Sequence, residues 1–343
     1  MEQIKKVNPV PFFFIILSIA GWYFSKMSIY FIAGEVITRL IRDGVLVLAL
    51  IIPIAAGMGL NFAIVIGAIA AQTGWLIVLN YRIPGYGGIL AAAGAGAVIS
   101  IAAGWLIGKF LNRVRGKEMI STMLIGFLGT SIYQLVFLAL YGTIIKCRNP
   151  EILLSRGIGV RNMVDLEPYR NTIDTLWNIN TRGINIPVFM ILIVLLFAAA
   201  VKYIMHTRLG KKIQATGNSP ESASRIGLRT DRIRITAIII STVIACFGQI
   251  IFLQNIGMMN VYTAHMNTDI FSCAALLAGG ATIREAKIRH AFAGIILFHT
   301  LFIVSPQAGQ NIFNNAALGE YFRSFIAYGS IAFALFFNMK REK

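Results

Sequence analysis

The chain has 343 residues, of which 57% are hydrophobic and only 13% are charged, and its formal net charge is +17. Soluble globular domains are about half apolar and about a quarter charged. Because the apolar residues here lie in long runs without a polar face, the composition excludes a soluble fold with buried helices. Three cysteines without CxxC spacing and four scattered histidines exclude a disulfide framework and a metal site.

Ten apolar segments follow one another along the chain, and a transmembrane helix needs roughly 20 apolar residues. The sequence therefore predicts an all-α polytopic membrane protein with about ten transmembrane helices, in one transmembrane domain over 1–343. Bulky aromatic residues at 22–24 predict that the first segment is a retained span and not a cleaved signal peptide. The segments are 9–28, 43–59, 62–81, 88–110, 119–142, 186–205, 233–254, 268–281, 287–305 and 320–338.

The second, third and eighth segments are short or interrupted by glycine. Broken helices survive at membrane depth only where protein or a water-filled cavity covers the backbone, so these segments are expected near a substrate pathway. Polar side chains inside a membrane are costly and indicate function, although hydrogen bonding between helices is the alternative explanation. The predicted pathway residues are Asn61, Gln72, Gln249, Asn255, Gly279 and Gly280.

Lys and Arg are distributed unevenly between the two sides of this arrangement. With a cytoplasmic N-terminus, 20 of the 31 Lys and Arg and 6 of the 14 Asp and Glu fall on the cytoplasmic side. Cytoplasmic loops carry such an excess of Lys and Arg, so both termini are predicted to be cytoplasmic. The net positive charge is therefore interpreted as a signal of membrane orientation and not of nucleic-acid binding, since no base-reading element is present.

The longest polar segment on the other side is the extracytoplasmic loop 143–185. Its acidic and basic residues nearly balance, and one or two short surface helices are expected around 163–177. The loop is either a solvated cap or a docking surface for a protein outside the membrane, and the sequence favours neither.

A polar, basic stretch interrupts the apolar runs at 206–232. Ser219 is a capping residue, Pro220 suits the first helical position, and Glu221 suits the positive end of the helix dipole. Gly227 is a natural stop because it tolerates left-handed backbone. These residues predict a short helix over 219–227. A helix of this length is marginal in water, so it is expected to pack on its own protein or to insert into a groove on a partner.

The stretch "HTRLGKKIQATGNSPESASRIGLRTDRIRI" (206–235) resembles the cytoplasmic coupling segment of ABC importer permeases of the ribose/branched-chain amino acid type. In that family an "HTRLG" lead-in precedes a "GxNxxAAxxxGI" segment. "AAGMGLNFAIVIGAIAAQTG" (55–74) and "AALLAGGATI" (274–283) resemble two further Gly-rich family segments. The chain departs from the pattern at Gly59 and Asn61, lacks a second glycine pair after Gly280, and has a longer outer loop.

The resemblance implies a bacterial inner-membrane permease that pairs with a second copy or a paralogue, with separate ABC ATPase subunits and with an extracytoplasmic solute-binding protein. ATP and Mg²⁺ would be held by the ATPase, because this chain has no G-x4-GK[ST] phosphate loop. Bulky replacement of Gly217 or Ala223 is expected to uncouple transport from ATP hydrolysis in a folded permease. The implied coupling residues are Gly217, Asn218, Ser219, Glu221, Ala223, Arg225 and Gly227.

The substrate implied by the resemblance is a small polar solute of the sugar or nucleoside class. The main alternative is an ion-coupled secondary transporter, which needs acidic residues inside the membrane. Glu35, Asp43, Asp269 and Glu320 are expected near the outer boundaries, where His265 would also be solvated. A membrane enzyme would need a compact catalytic set, which the scattered histidines do not supply.

Overall fold

The computed structural model describes residues 9–181 and 184–341, so residues 1–8 and 342–343 at the termini, for which a cytoplasmic location is predicted, lie outside the described residues. Most of the described chain is α-helical. The helices are α1 Pro9–Ser25, α2 Ile29–Ala49, α3 Ile51–Ala55, α4 Ile64–Tyr81, α5 Gly85–Arg113, α6 Glu118–Leu135, α7 Glu167–Ile173, α8 Val188–His206, α9 Arg208–Asn218, α10 Pro220–Arg225, α11 Thr230–Ile256, α12 Thr268–Ala278, α13 Ile288–Phe313 and α14 Ala316–Arg341.

Within the described ranges, six helices are long and apolar enough to cross a membrane: α4, α5, α6 with its π-helical extension to Leu140, α8, α11 and α13. Two shorter apolar helices, α1 and α12, lie at the predicted first and eighth segments. The prediction of an all-α polytopic membrane protein is confirmed. The total of ten spans and the side of each terminus stay predictions.

The predicted second span, 43–59, has the wrong bounds. A helix begins at Ile29 and continues to Ala49, and the short α3 follows it. The first half of α2 carries Glu35, Arg39 and Arg42, and these charges lower its hydropathy. They lie together on one side of the helix while the remaining sides are apolar, so a search for uniformly apolar runs finds only the second half of α2.

The centre of the bundle is built around α11, which packs along α5, α4 and α2. The helix α13 packs against α1, α2, α12 and α14. Small residues allow these close approaches: a Cβ added at Gly74 would lie 2.3 Å from the Ala92 carbonyl oxygen. In a membrane, where lipid is as apolar as leucine, such close packing is a main source of helix association.

The outer loop contains more regular structure than the sequence predicts. The expected surface helix is present as α7, and two small antiparallel sheets accompany it. One sheet pairs β1 Met163–Asp165 with β4 Met258–Asn260, and the other pairs β2 Asn178–Thr181 with β3 Ile184–Pro187. The Tyr169 hydroxyl donates to the carbonyl oxygen of Ile83 at 2.8 Å, so the loop is fixed to the turn between α4 and α5.

Candidate functional site

The stretch at 206–232 forms two helices in place of the single short one that the sequence predicts. The first, α9, begins at the N-cap Thr207, whose hydroxyl accepts from the Gly210 amide at 3.3 Å. The second, α10, begins at the N-cap Ser219, whose hydroxyl accepts from the Ser222 amide at 3.2 Å. Since Ser and Thr at this position satisfy otherwise unpaired amides, the local sequence sets both starting points.

The end of α10 is fixed by Gly227, which has a φ of +82°. The Leu228 amide donates to the Ala223 carbonyl, and the Gly227 amide donates to the Ser224 carbonyl, each at 3.0 Å. This is the left-handed glycine cap that closes many helices. The observed α10 therefore occupies 220–225, with its caps at 219 and 227 as the sequence predicts.

Only one side of α10 packs on the rest of the chain. Ala223 is 2% exposed where α10 contacts α9 and α11, whereas Ile226 is 74% exposed. We call the solvent-facing residues Glu221, Ser224, Arg225 and Ile226 the coupling face. A single exposed apolar side chain is common on protein surfaces, but Ile226 is the C-cap residue of a helix that lines a cavity.

That cavity has a volume of about 540 Å³ and lies between α10 and the connection from α5 to α6. An ion pair between Arg115 and Asp231 forms one wall. Pro220, Glu221, Ser224 and Arg225 line the side that belongs to α10. The coupling face is thus continuous with a concave surface.

Gly217, at the end of α9, contacts the backbone of the broken second span. A Cβ added there would lie 2.1 Å from the Ala55 carbonyl oxygen and 2.8 Å from the Gly57 amide nitrogen. A bulky residue at Gly217 would overlap backbone and should destabilise the permease, and the expectation that such a variant stays folded remains a prediction. The same expectation for Ala223 also remains a prediction, and a bulky residue there would replace a buried side chain.

The chain between α3 and α4 is irregular and buried. Gly57 and Gly59 both adopt positive φ angles. Asn61 lies just before α4, where its Oδ1 accepts from the Ala63 amide at 3.1 Å and its Nδ2 donates to Ser241 Oγ at 3.4 Å. Ser241 in turn donates to the carbonyl of Ala49, the last residue of α2. Asn61 thus supports a break in the helix, as non-helical backbone inside a membrane requires.

A second irregular segment, 257–267, joins α11 to α12. Glutamines from three helices donate to its carbonyls: Gln72 to Asn260 at 3.4 Å, Gln134 to Tyr262 at 3.0 Å, and Gln249 to Ala264 at 2.9 Å. Because lipid cannot satisfy a carbonyl, these amides stabilise the segment.

His265 lies on this connection and Asp269 lies in the first turn of α12, and both are buried. The His265 Nδ1 is 2.7 Å from Gln72 Oε1. The expectation that water solvates both side chains is therefore wrong, because the rest of the bundle covers them.

Charged residues line one face of α2 and were missed as site candidates. Glu35, Arg39, Arg42 and Asp43 are spaced by four, seven and eight residues, which places them on the same side of a helix. The Asp43 Oδ2 lies 3.2 Å from His299 Nε2 on α13, and both side chains are largely buried. The expectation that Asp43 lies near the outer boundary stays a prediction. The helical spacing of these charges was the signal that could have identified them.

Asn255, a predicted pathway residue, belongs to the same region. Its Oδ1 accepts from Arg42 Nε at 2.6 Å. Asp174 of the outer loop lies close by, and burial raises the pKa of its carboxyl above the ordinary value, while Asn255 and Arg170 act in the opposite direction. The charged face of α2 is thus continuous with the polar outer loop.

Gly279 and Gly280 lie where α12 ends. A Cβ at Gly279 would lie 1.8 Å from the His290 carbonyl oxygen, so this glycine permits α12 to contact α13. Gly280 has a φ of +92° and turns the chain.

The structure does not bring the six predicted pathway residues into one site. Asn61, the pair Gln72 and Gln249, Asn255 and the glycine pair occupy four places, and their contacts stabilise the fold. Among the described residues, no group of three or more His, Cys, Asp or Glu side chains is arranged to hold a metal ion.

Comparison with known proteins relates the chain to import permeases. It is 25% identical over 244 residues to the fructose import permease protein FruG of Bifidobacterium longum, which covers 70% of this chain and 64% of the relative. It is 27% identical over 197 residues to the autoinducer 2 import system permease protein LsrC of Yersinia pseudotuberculosis, covering 57% of this chain and 50% of the relative.

A third match, to LsrC of Yersinia enterocolitica, is 33% identical over 92 residues and covers 27% of this chain and 25% of that protein. The matched segments thus span between a quarter and just under two thirds of these relatives' lengths. No solved structure matches the chain significantly.

A family model described as "Branched-chain amino acid transport system / permease component" matches residues 32–335, which is most of the chain. With six long apolar helices among its described residues, the chain is a multi-pass inner-membrane protein. The chain therefore belongs to this family of ABC importer permeases.

Proposed function

We propose that this chain is the permease subunit of a binding-protein-dependent importer in which a separate ATPase drives transport through 206–232. The observation that carries the proposal is the coupling face of α10, a capped helix whose inner side is buried and whose outer side is exposed next to a concave surface. ATP-driven closure of the ATPase would push on α10, and the membrane helices would change access in response.

The contact between Gly217 and the backbone at Ala55–Gly57 supports a mechanical route from α10 into the membrane. α9 and α10 pack on each other, and α9 also packs on α3. Movement of α10 would therefore reach the irregular segment before α4, where Asn61 links α4 to α11. Tight packing transmits such displacements because protein interiors compress little.

The other subunits follow from the family. A second copy or a paralogue would complete the membrane part, and a solute-binding protein would dock from outside, with the loop 143–185 as the candidate surface. ATP and Mg²⁺ would bind to the ATPase and not to this chain. The names of the relatives, a fructose permease and autoinducer 2 permeases, support a small polar solute of the sugar class, with nucleosides as the next class.

An ion-coupled secondary transporter is the second candidate function. The contact between Asp43 and His299 favours it, because ionisable pairs within membrane helices often carry protons or ions. In the first candidate the same pair and the nearby Arg39 and Arg42 would line or stabilise the solute route.

Reconstitution into liposomes separates the two candidates. The wild-type permease, purified with its co-expressed ATPase and supplied with the solute-binding protein on the opposite side, should take up solute only when ATP is present on the ATPase side. Ile226→Asp places a charge on the coupling face and should reduce ATP-driven uptake at least about tenfold, while Lys212→Asp, on the exposed side of α9, should not. Full uptake without the ATPase, driven by a proton or sodium gradient, would overturn the first candidate in favour of the second.

A further inference from the structure

A larger cavity, of about 830 Å³, lies at the end of the bundle that the Lys and Arg distribution assigns to the cytoplasm. It is bounded by the last turns of α8, by α9 and by the connection 284–289 before α13. We call it the basic cleft. Its volume is in the range of small-molecule and cofactor sites. Part of its wall, including Asn218, belongs to the coupling segment, but the transport function described above assigns no ligand to it.

The walls of the basic cleft are strongly cationic. Five Lys or Arg side chains line it, against the single carboxylate of Glu285, which pairs with one of the lysines. In the described part of the chain, three of the five make no ion pair. The five cations are Lys202, Lys211, Arg284, Lys287 and Arg289, and the three without an ion pair are Lys202, Lys211 and Arg289.

These cations come from three separate elements. Lys202 belongs to α8, Lys211 belongs to α9, and Arg289 belongs to the first turn of α13. All three side chains are exposed, so water screens their mutual repulsion. Together they give the cavity a local excess of positive charge that favours an anion.

The base of the basic cleft is apolar. Ile51 and Ala55 of α3, Val201 and Met205 of α8, and Ile288 provide it. The rest of α8 directs Leu192, Leu195 and Leu196 outward, where lipid would surround them. The cleft thus combines a cationic rim with an apolar base next to a lipid-facing helix, which matches a ligand that has an anionic head and an apolar part.

We propose that the basic cleft binds a phosphate-bearing anion, and that the headgroup of an acidic phospholipid of the inner leaflet is its main source. Basic pockets between transmembrane helices on the cytoplasmic side recognise such headgroups. The occupant would contact Asn218 and Ala55, at the joint between α9 and α3. The binding proposal requires only that the cleft faces the cytoplasm, as the Lys and Arg distribution predicts. Any effect of the bound anion on transport rests on the proposed function.

The test uses purified full-length permease in detergent, titrated in parallel with dioctanoyl phosphatidylglycerol, dioctanoyl phosphatidylcholine and inorganic phosphate. Binding is read by native mass spectrometry for the lipids and by calorimetry for phosphate. The test variant is Lys202→Gln/Lys211→Gln/Arg289→Gln, and the control is Lys212→Gln, which removes a neighbouring exposed lysine that does not line the cleft. All four side chains are exposed, so folding should be retained, and thermal unfolding checks this.

The expected result is tight binding of phosphatidylglycerol, much weaker binding of phosphatidylcholine, and a loss of about 100-fold in affinity in the triple variant, at roughly a factor of five for each cation. If inorganic phosphate binds and phosphatidylglycerol does not, the cleft still binds a phosphate-bearing anion, and that anion is a soluble phosphate ester instead of a lipid. The proposal is overturned if neither anion binds, if the triple variant binds as the wild type does, or if Lys212→Gln loses as much affinity.

Discussion

Replacing Gly217 by alanine should force α9 away from the broken second span. The new Cβ would lie 2.1 Å from the Ala55 carbonyl oxygen, and real Cβ atoms essentially never approach closer than 3.0 Å. The difference between these distances requires a displacement of about 0.9 Å. Because the nearest atoms belong to the backbone of Ala55 and Gly57, no side chain can rotate away. Overpacking of this kind costs about 1–3 kcal/mol.

The assay is thermal unfolding of the purified permease, together with ATP-driven uptake in liposomes. A loss of 1 kcal/mol lowers the melting temperature of a large domain by roughly 2–4 °C, so the variant should melt at a measurably lower temperature than the wild type. Uptake should fall because the joint between α9 and α3 is displaced. The matched control is Gly94→Ala, since Gly94 is a helical glycine with nothing within 4 Å of its added Cβ. Alanine there should leave stability unchanged or raise it by roughly 0.5–1 kcal/mol.

Two results would refute this reasoning. If Gly217→Ala melts and transports as the wild type does, the close approach of Gly217 to Ala55 does not exist in the membrane. If Gly94→Ala is as harmful as Gly217→Ala, the effect reflects glycine in general and not the contact with the second span.

Three further changes test other contacts. Glu118→Ala removes the carboxylate 2.5 Å from Arg234 in a buried pair and should cost about 3–5 kcal/mol; an unchanged melting temperature would show that water reaches Arg234. Gln249→Leu leaves the Ala264 carbonyl without its donor and should cost about 1–3 kcal/mol, measured by the same melting assay. Ser219→Ala removes the N-cap of α10, which is worth about 1 kcal/mol; amide exchange in α10 should rise about fivefold while α11 stays protected, and uniform exchange would contradict a local role.

The short helix α10 was predicted almost completely from the sequence. Its signals are Ser219, Pro220 and Gly227, and each acts within one turn of its own position. The long apolar helices were located for a similar reason: α4 and α8 begin and end within about two residues of the segments that hydropathy indicates. Capping and the apolar length of a membrane-spanning helix depend on residues that are close in sequence. Both can therefore be predicted without knowing which helices pack together.

The contacts of the predicted pathway residues could not be predicted from the sequence. Gln72 is polar and lies in an apolar run, which indicates a special role, but its partner His265 is 193 residues away. Whether such an amide contacts substrate or a backbone carbonyl depends on which irregular segment packs beside it. The charged face of α2 is a second example. It lowers the hydropathy of a helix that packs within the bundle, so hydropathy alone does not identify the whole helix.

The sequence by itself determined that the chain is a helical membrane protein with a capped, basic segment between its apolar runs. These properties follow from hydropathy and from short-range capping, which act within a few residues. Only the tertiary structure decided that Gly217 contacts the backbone near Gly57, that Asp43 faces His299, and that cations from three elements converge on one cleft. Each of these joins parts of the chain that are far apart in sequence, and helix packing alone sets which parts meet.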